Sequence, residues 1–259
     1  MAKAKTAFVC NDCGADFPKW QGQCSECHAW NTLTEIRLSA PATKSGKARA
    51  AGRSGYAGAV AAVQRLEDVA VVDLPRLASG FDELDRVLGG GFVPGSSILI
   101  GGHPGAGKST LLLQALCQLA AAHTALYVTG EESPEQIALR ANRLGLPTDR
   151  LQLMAETDVD AILASAESLK PKILVVDSIQ VVHSETLTSA PGSVSQVRDC
   201  AAQLTRYAKQ TGTILILVGH VTKDGSLAGP KVLEHMIDCS ILLEGDYDSR
   251  YRTLRGQKN

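Results

Sequence analysis

The chain has 259 residues, 20% charged and 44% hydrophobic, with a formal net charge of −1. That length suits one α/β core with a small appendage. Near-neutrality excludes a globally basic nucleic-acid binder, leaving only local patches, and no apolar run approaches the roughly 20 residues that cross a bilayer.

The first residues, Met1-Ala2-Lys3-Ala4-Lys5, lead into polar, cysteine-rich sequence rather than a signal-peptide core. Cys10-Asn11-Asp12-Cys13 and Cys24-Ser25-Glu26-Cys27 are two C-x-x-C knuckles with ten residues between them. Such a pair can converge four thiolates on one tetrahedral Zn²⁺. A disulfide pair is the alternative, and a reducing cytoplasm, the compartment expected here, disfavours it. A zinc finger over 1–35 cannot bury a real core, so the metal would supply most of its folding energy. Four cysteines leave no open coordination position, and His28 is not needed as a ligand. Trp20 and Trp30 read as packing around the knuckle; base stacking stays open if they are exposed.

Between Glu35 and Glu67 lie Arg37, Lys44, Lys47, Arg49, Arg53 and Arg65 with no acidic residue. This Ala-, Gly- and Ser-rich stretch, 36–65, reads as a flexible basic linker, solvated rather than tracking phosphates. The main domain, 66–259, starts with a short capped helix over Ser79–Leu88, with Ser79 as its candidate cap.

Gly102-His103-Pro104-Gly105-Ala106-Gly107-Lys108-Ser109 satisfies G-x-x-x-x-G-K-[ST]. It lies between the strand-like run Ser97-Ile98-Leu99-Ile100 and the helix-forming run that starts at Thr110. A glycine-rich turn lets backbone N–H groups wrap a di- or triphosphate at a helix N-terminus. Lys108 reaches the β/γ-phosphates of ATP, Ser109 offers a hydroxyl to Mg²⁺, and Thr110 completes the expected cradle. Asp177, ending the apolar run Ile173-Leu174-Val175-Val176, suits a strand-end carboxylate that holds a water on Mg²⁺. Alternating strands and helices with continuous apolar runs predict an α/β fold, a largely parallel sheet covered on both faces.

Hydrolysis needs a group that activates water. Ser178 follows Asp177, so the candidates are Glu131 and Glu132, after a strand expected to neighbour the P-loop strand; Glu131 is favoured. Both could instead favour the next helix N-terminus. His220 ends another strand and is either a γ-phosphate sensor or a plain loop histidine. Two segments read as mobile, His183 to Ser195 and Val221 to Lys231. Lys223 and Lys231, with Arg198, are candidate contacts for a phosphate backbone.

The cysteine knuckles with Phe17-Pro18-Lys19-Trp20-Gln21-Gly22 between them, Gly102–Ser109, Gly130-Glu131-Glu132-Ser133, Val175-Val176-Asp177-Ser178 and Gly219-His220-Val221-Thr222-Lys223-Asp224-Gly225 carry a resemblance. In this order they resemble the RadA (Sms) family of bacterial RecA-like DNA-repair ATPases, over nearly the whole chain. The resemblance implies a RecA-like core in a hexameric ring, with ATP between subunits. It also implies a DnaB-like motor for branch migration on single-stranded DNA in homologous recombination, with branched intermediates as substrates and the recombinase RecA as partner. The mobile segments become DNA-binding loops. The family's K-N-R-F-G motif, which reaches a neighbouring subunit's nucleotide, would start at Lys258; the expectation is a shortened chain lacking the motif's arginine and the Lon-protease-like C-terminal domain. The alternatives are an ATP-switched DNA- or recombinase-binding mediator and a small-molecule P-loop kinase. Against the kinase, no arginine-rich lid follows Asp177, and a kinase has little use for the zinc knuckle.

Overall fold

The structure, a computed structural model, describes residues 5–10, 16–26, 28–38, 65, 67, 75–220, 231–245 and 251–259. Near the N-terminus, β1 (Lys5–Cys10), β2 (Asp16–Phe17) and β3 (Leu33–Leu38) form an antiparallel sheet in the order β2-β1-β3. Because β3 runs to Leu38, strand pairing continues past the zinc-finger boundary expected at residue 35. Residues 39–64 of the expected linker lie outside the described residues.

The main sheet has seven strands in the order β10-β9-β4-β8-β7-β5-β6. They are β4 (Ser97–Gly102), β5 (Ala125–Thr129), β6 (Gln152–Ala155), β7 (Ile173–Asp177), β8 (Ile214–Val218), β9 (Cys239–Glu244) and β10 (Thr253–Lys258). Every pairing is parallel except that of β9 with β10. Side chains alternate across a strand, so a strand covered on both faces must be apolar at consecutive positions. Ile98, Ile100, Tyr127, Val175 and Ile216 pack on one face with residues of α1 (Asp82–Val87), α2 (Lys108–Leu119) and α3 (Pro134–Arg143). Leu99, Val128, Leu174, Val176 and Leu217 pack on the other with residues of α4 (Val159–Leu169), α5 (Val194–Thr211) and α6 (Lys231–Glu234). Each fully buried Leu, Ile or Val contributes about 1.5–3 kcal/mol relative to exposure, so this two-sided core holds the strand ends in register.

Four details differ from expectation. The strand before Glu131, β5, is not a neighbour of β4: β8 and β7 lie between them. The chain leaves β4 through α2, lands three places away, and fills the gap later. Ser79 does not cap α1, whose N-cap is Phe81; its hydroxyl instead accepts from the Phe81 N–H, while its own N–H donates to Asp85. The segment from His183 to Ser195 is tied down, because the buried Gln196 amide accepts from Ser184 N–H and donates to the carbonyls of Ser184, Leu187 and Ser189. Finally, β10 was not anticipated: Thr-Leu-Arg-Gly-Gln-Lys has no apolar alternation, and the strand is largely exposed.

Helix α3 is started by a capping box in which Ser133 Oγ accepts from Gln136 N–H and Gln136 Oε1 accepts from Ser133 N–H. Replacing Ser133 by Ala is expected to lower stability by about 1 kcal/mol, measured as a shift in the urea midpoint with unchanged slope.

Candidate nucleotide site and metal centre

In a parallel sheet, ligands bind beyond the carboxyl ends of the strands. The loop Gly102–Ser109 follows β4, Asp177 ends β7, Glu131 follows β5 and His220 follows β8. All four therefore meet at one edge. Within the loop, Gly105 and Gly107 have φ of 79° and 102°. A side chain is disfavoured in that left-handed region, and at Gly107 the conformation turns directly into α2, leaving the first N–H groups of the helix facing the loop. His103, Pro104 and Gly105 are exposed, Ala106 is buried, and Ser109 and Thr110 are partly buried.

Lys108 is only 4% exposed. Its Nζ donates to the carbonyls of Gly102 (2.8 Å) and His103 (3.0 Å) and lies 3.4 Å from His220 Nδ1. Burial pushes its pKa down, and the charges of Asp177 and Glu131 oppose that shift. An ammonium has only donors, so His220 Nδ1 must accept, which leaves Nε2–H to donate to Glu131 Oε1 at 3.2 Å. The Ser178 hydroxyl donates to the same oxygen. Both bonds fall on Oε1, so Oε2 is the carboxylate oxygen this pair does not use. The Asp177–Ser178 peptide is cis.

The structure separates the two glutamates. Glu132 is held by Arg140 on α3, at 2.5 Å between Nη2 and Oε1, and its side chain belongs to that ion pair rather than to the chain running from Lys108. Tyr127, Ser178 and Arg140 were not singled out from sequence. The Tyr127 hydroxyl, buried in β5, donates to Asp177 Oδ2 at 2.5 Å. Burial and the Asp177 charge push the Tyr127 pKa well up, so it stays a donor. Tyr127 thereby fixes the Asp177 carboxylate, one of the two expected Mg²⁺-site groups. The alternation of β5 could have placed it on the P-loop face, but its partner depends on strand order.

Other expected residues lie elsewhere. Arg198 is exposed on α5. Lys231 opens α6, and Lys223 is outside the described residues. Lys258 pairs opposite Ser240 at the amino end of β9, and its Nζ donates to the carbonyls of Glu234 (2.7 Å) and Ile237 (2.6 Å) of its own chain. It is at the opposite end of the sheet from its own P-loop.

Of the four cysteines, Cys13 and Cys27 lie outside the described residues, and among the described residues no three His, Cys, Asp or Glu groups converge on a metal position. Cys10 and Cys24 are both fully buried in one small cluster with Leu33. Cys24 begins a tight turn closed by Cys24 N–H to Ala29 O and His28 N–H to Cys24 O. Thr32 Oγ1 lies 3.2 Å from Cys10 Sγ, where a hydroxyl can support a thiolate.

Replacing Tyr127 by Phe removes the donor on Asp177 Oδ2 without changing the ring. Bonds to charged groups contribute about 1.5–3 kcal/mol, and a stability loss in that range is expected by chemical denaturation. Unchanged stability would mean that another donor takes over.

The AAA domain family matches residues 61–226, and the family described as rubredoxin metal binding domain matches residues 8–35. The sequence is 64% identical over 260 residues to the DNA repair protein RadA of Escherichia coli. It is 46% identical over 263 residues to the DNA repair protein RadA of Bacillus subtilis. The chain is covered completely in both and spans 56% of the length of each relative. A KaiC-like protein from Pyrococcus horikoshii shares the fold with a TM-score of 0.59 and 22% identity, covering 71% of this chain and 88% of its own. The chain belongs to the AAA domain family and, within it, groups with the bacterial RadA proteins of DNA repair.

Proposed function

We propose that the chain binds and hydrolyses ATP to drive work on single-stranded DNA during recombinational repair, the work being branch migration of recombination intermediates. The observation that carries this reading is the hydrogen-bonded line Lys108–His220–Glu131. It joins a phosphate-binding cation, a candidate base and the strand end that leads into the segment carrying Lys223.

In this reading Lys108 exchanges the carbonyls of Gly102 and His103 for β/γ-phosphate oxygens, and the loop N–H groups take the rest of the phosphate charge. Bound Mg²⁺ would neutralise charge between the phosphates. Ser109 and Asp177 are the residues to hold it, with Tyr127 fixing the Asp177 carboxylate. Glu131 orients and deprotonates the attacking water through Oε2, while His220 and Ser178 hold Oε1. Glu132, neutralised by Arg140, anchors α3. His220 couples the phosphate end to Lys223 and Lys231, which with Arg198 contact the DNA backbone. A hexameric ring, the recombinase RecA as partner, and an intersubunit role for Lys258 complete the proposal; the last requires Lys258 to release the carbonyls of Glu234 and Ile237 or to act through them. Cys10, Cys13, Cys24 and Cys27 hold one structural Zn²⁺.

A general base contributes about 10²–10⁴-fold to rate. Glu131→Gln is therefore expected to lower the turnover number by at least about 100-fold with nucleotide affinity retained, whereas Glu132→Gln changes turnover far less. Single-stranded DNA should stimulate hydrolysis, and Lys108→Ala should abolish it. Full turnover in Glu131→Gln would remove this residue from the chemistry; hydrolysis without any DNA response would favour the ATP-switched mediator. For the metal centre, elemental analysis should find one zinc per chain, and Cys24→Ser should lose it.

A further inference from the structure

The N-terminal ribbon formed by β1, β2 and β3 carries a feature that neither the metal nor the nucleotide site uses. Trp20 and Trp30 are 57% and 69% exposed. The ribbon core is built instead from Phe8, Phe17 and Leu33 around Cys10 and Cys24. The expectation that the indoles pack around the knuckle is therefore not met. Both rings come to the same place: a Cβ on Gly22 would lie 3.8 Å from Trp30 and 3.9 Å from Trp20. The backbone beneath them is fixed, with Gln23 paired to Trp30, Asn31 N–H bonded to Gly22 O at 2.8 Å, and the Gln23 amide bonded to His28 O at 2.8 Å.

We propose that Trp20 and Trp30 form a stacking platform for unpaired bases of single-stranded nucleic acid. Large aromatic side chains held together in water mark an interaction surface rather than packing. The charge pattern selects the partner. On the exposed part of the ribbon, Lys19 and Glu26 offset one another. The sequence that follows the ribbon, read above as a solvated linker, carries Lys44, Lys47, Arg49, Arg53 and Arg65 with no acidic residue before Glu67, and in this proposal it tracks phosphates instead. An aromatic surface joined to an acid-free basic stretch complements a polyanion with exposed π-faces, and base stacking tolerates any sequence. With the preceding proposal this one shares only the class of ligand.

The chain contains just two tryptophans, and both are in this patch. Tryptophan emission of the full chain therefore reports on the platform alone. Titration with oligo(dT) is expected to quench that emission in step with the anisotropy of a labelled oligonucleotide. Trp20→Ala and Trp30→Ala should each weaken binding by about fivefold or more while thermal unfolding stays unchanged, as it should for exposed side chains. Binding seen by anisotropy with unaltered emission would overturn the proposal, as would a Trp20→Ala/Trp30→Ala chain that binds normally or a wild-type chain that does not bind. Emission that shifts on dilution without DNA would overturn it too, because a second copy would then cover the patch. Quenching that persists without any DNA effect on hydrolysis would refute the motor reading and leave the platform standing.

Discussion

A buried ammonium is costly unless its charge is compensated and its donors are used. The carboxyl end of the sheet is organised around that of Lys108. Two loop carbonyls take its hydrogens, His220 approaches as an acceptor, and Asp177 and Glu131 supply opposing charge. None of these partners is near Lys108 in sequence except the loop carbonyls. They arrive together because β4, β8, β7 and β5 run parallel, so their ends share one edge. The two-sided apolar packing of those strands is thus what makes the polar cluster possible.

The same parallel frame explains why Glu131 and Glu132 behave differently although they are adjacent. One faces the line of donors that includes the strand end at His220, the other meets a cation one helical turn and more into α3. The ion pair with Arg140 engages the second carboxylate, while the first keeps an oxygen out of its hydrogen-bond pair. Division of labour between neighbours comes from which packed element each can reach.

Much of this was legible in the sequence. The phosphate loop, its flanking strand and helix, and the carboxylate ending β7 depend on local pattern, and local pattern survives folding. The order of the strands does not, because nothing in β5 says that two later strands will come between it and β4; the expected adjacency failed for that reason. Tyr127 and Ser178 were missed on the same ground, since their meaning lies in non-local partners. The segment after His183 looked loose from its Ser, Thr and Gly content, but one buried amide, Gln196, organises it. β10 escaped because an exposed strand paired on one side only needs no apolar alternation. The ribbon was half legible: cysteine spacing pointed to a metal, while the exposure of its two indoles depended on Phe8 and Phe17 already filling the core.

The outer strands carry one more consequence. β6 has four residues, and β10 bears Arg255 and Lys258 with an irregular register between Gly256 and Lys258. A short strand on one side and a charged, bulged one on the other both discourage edge-to-edge extension by another chain. Neither outer strand of this sheet therefore offers a long, flat backbone ladder on which another strand could be templated.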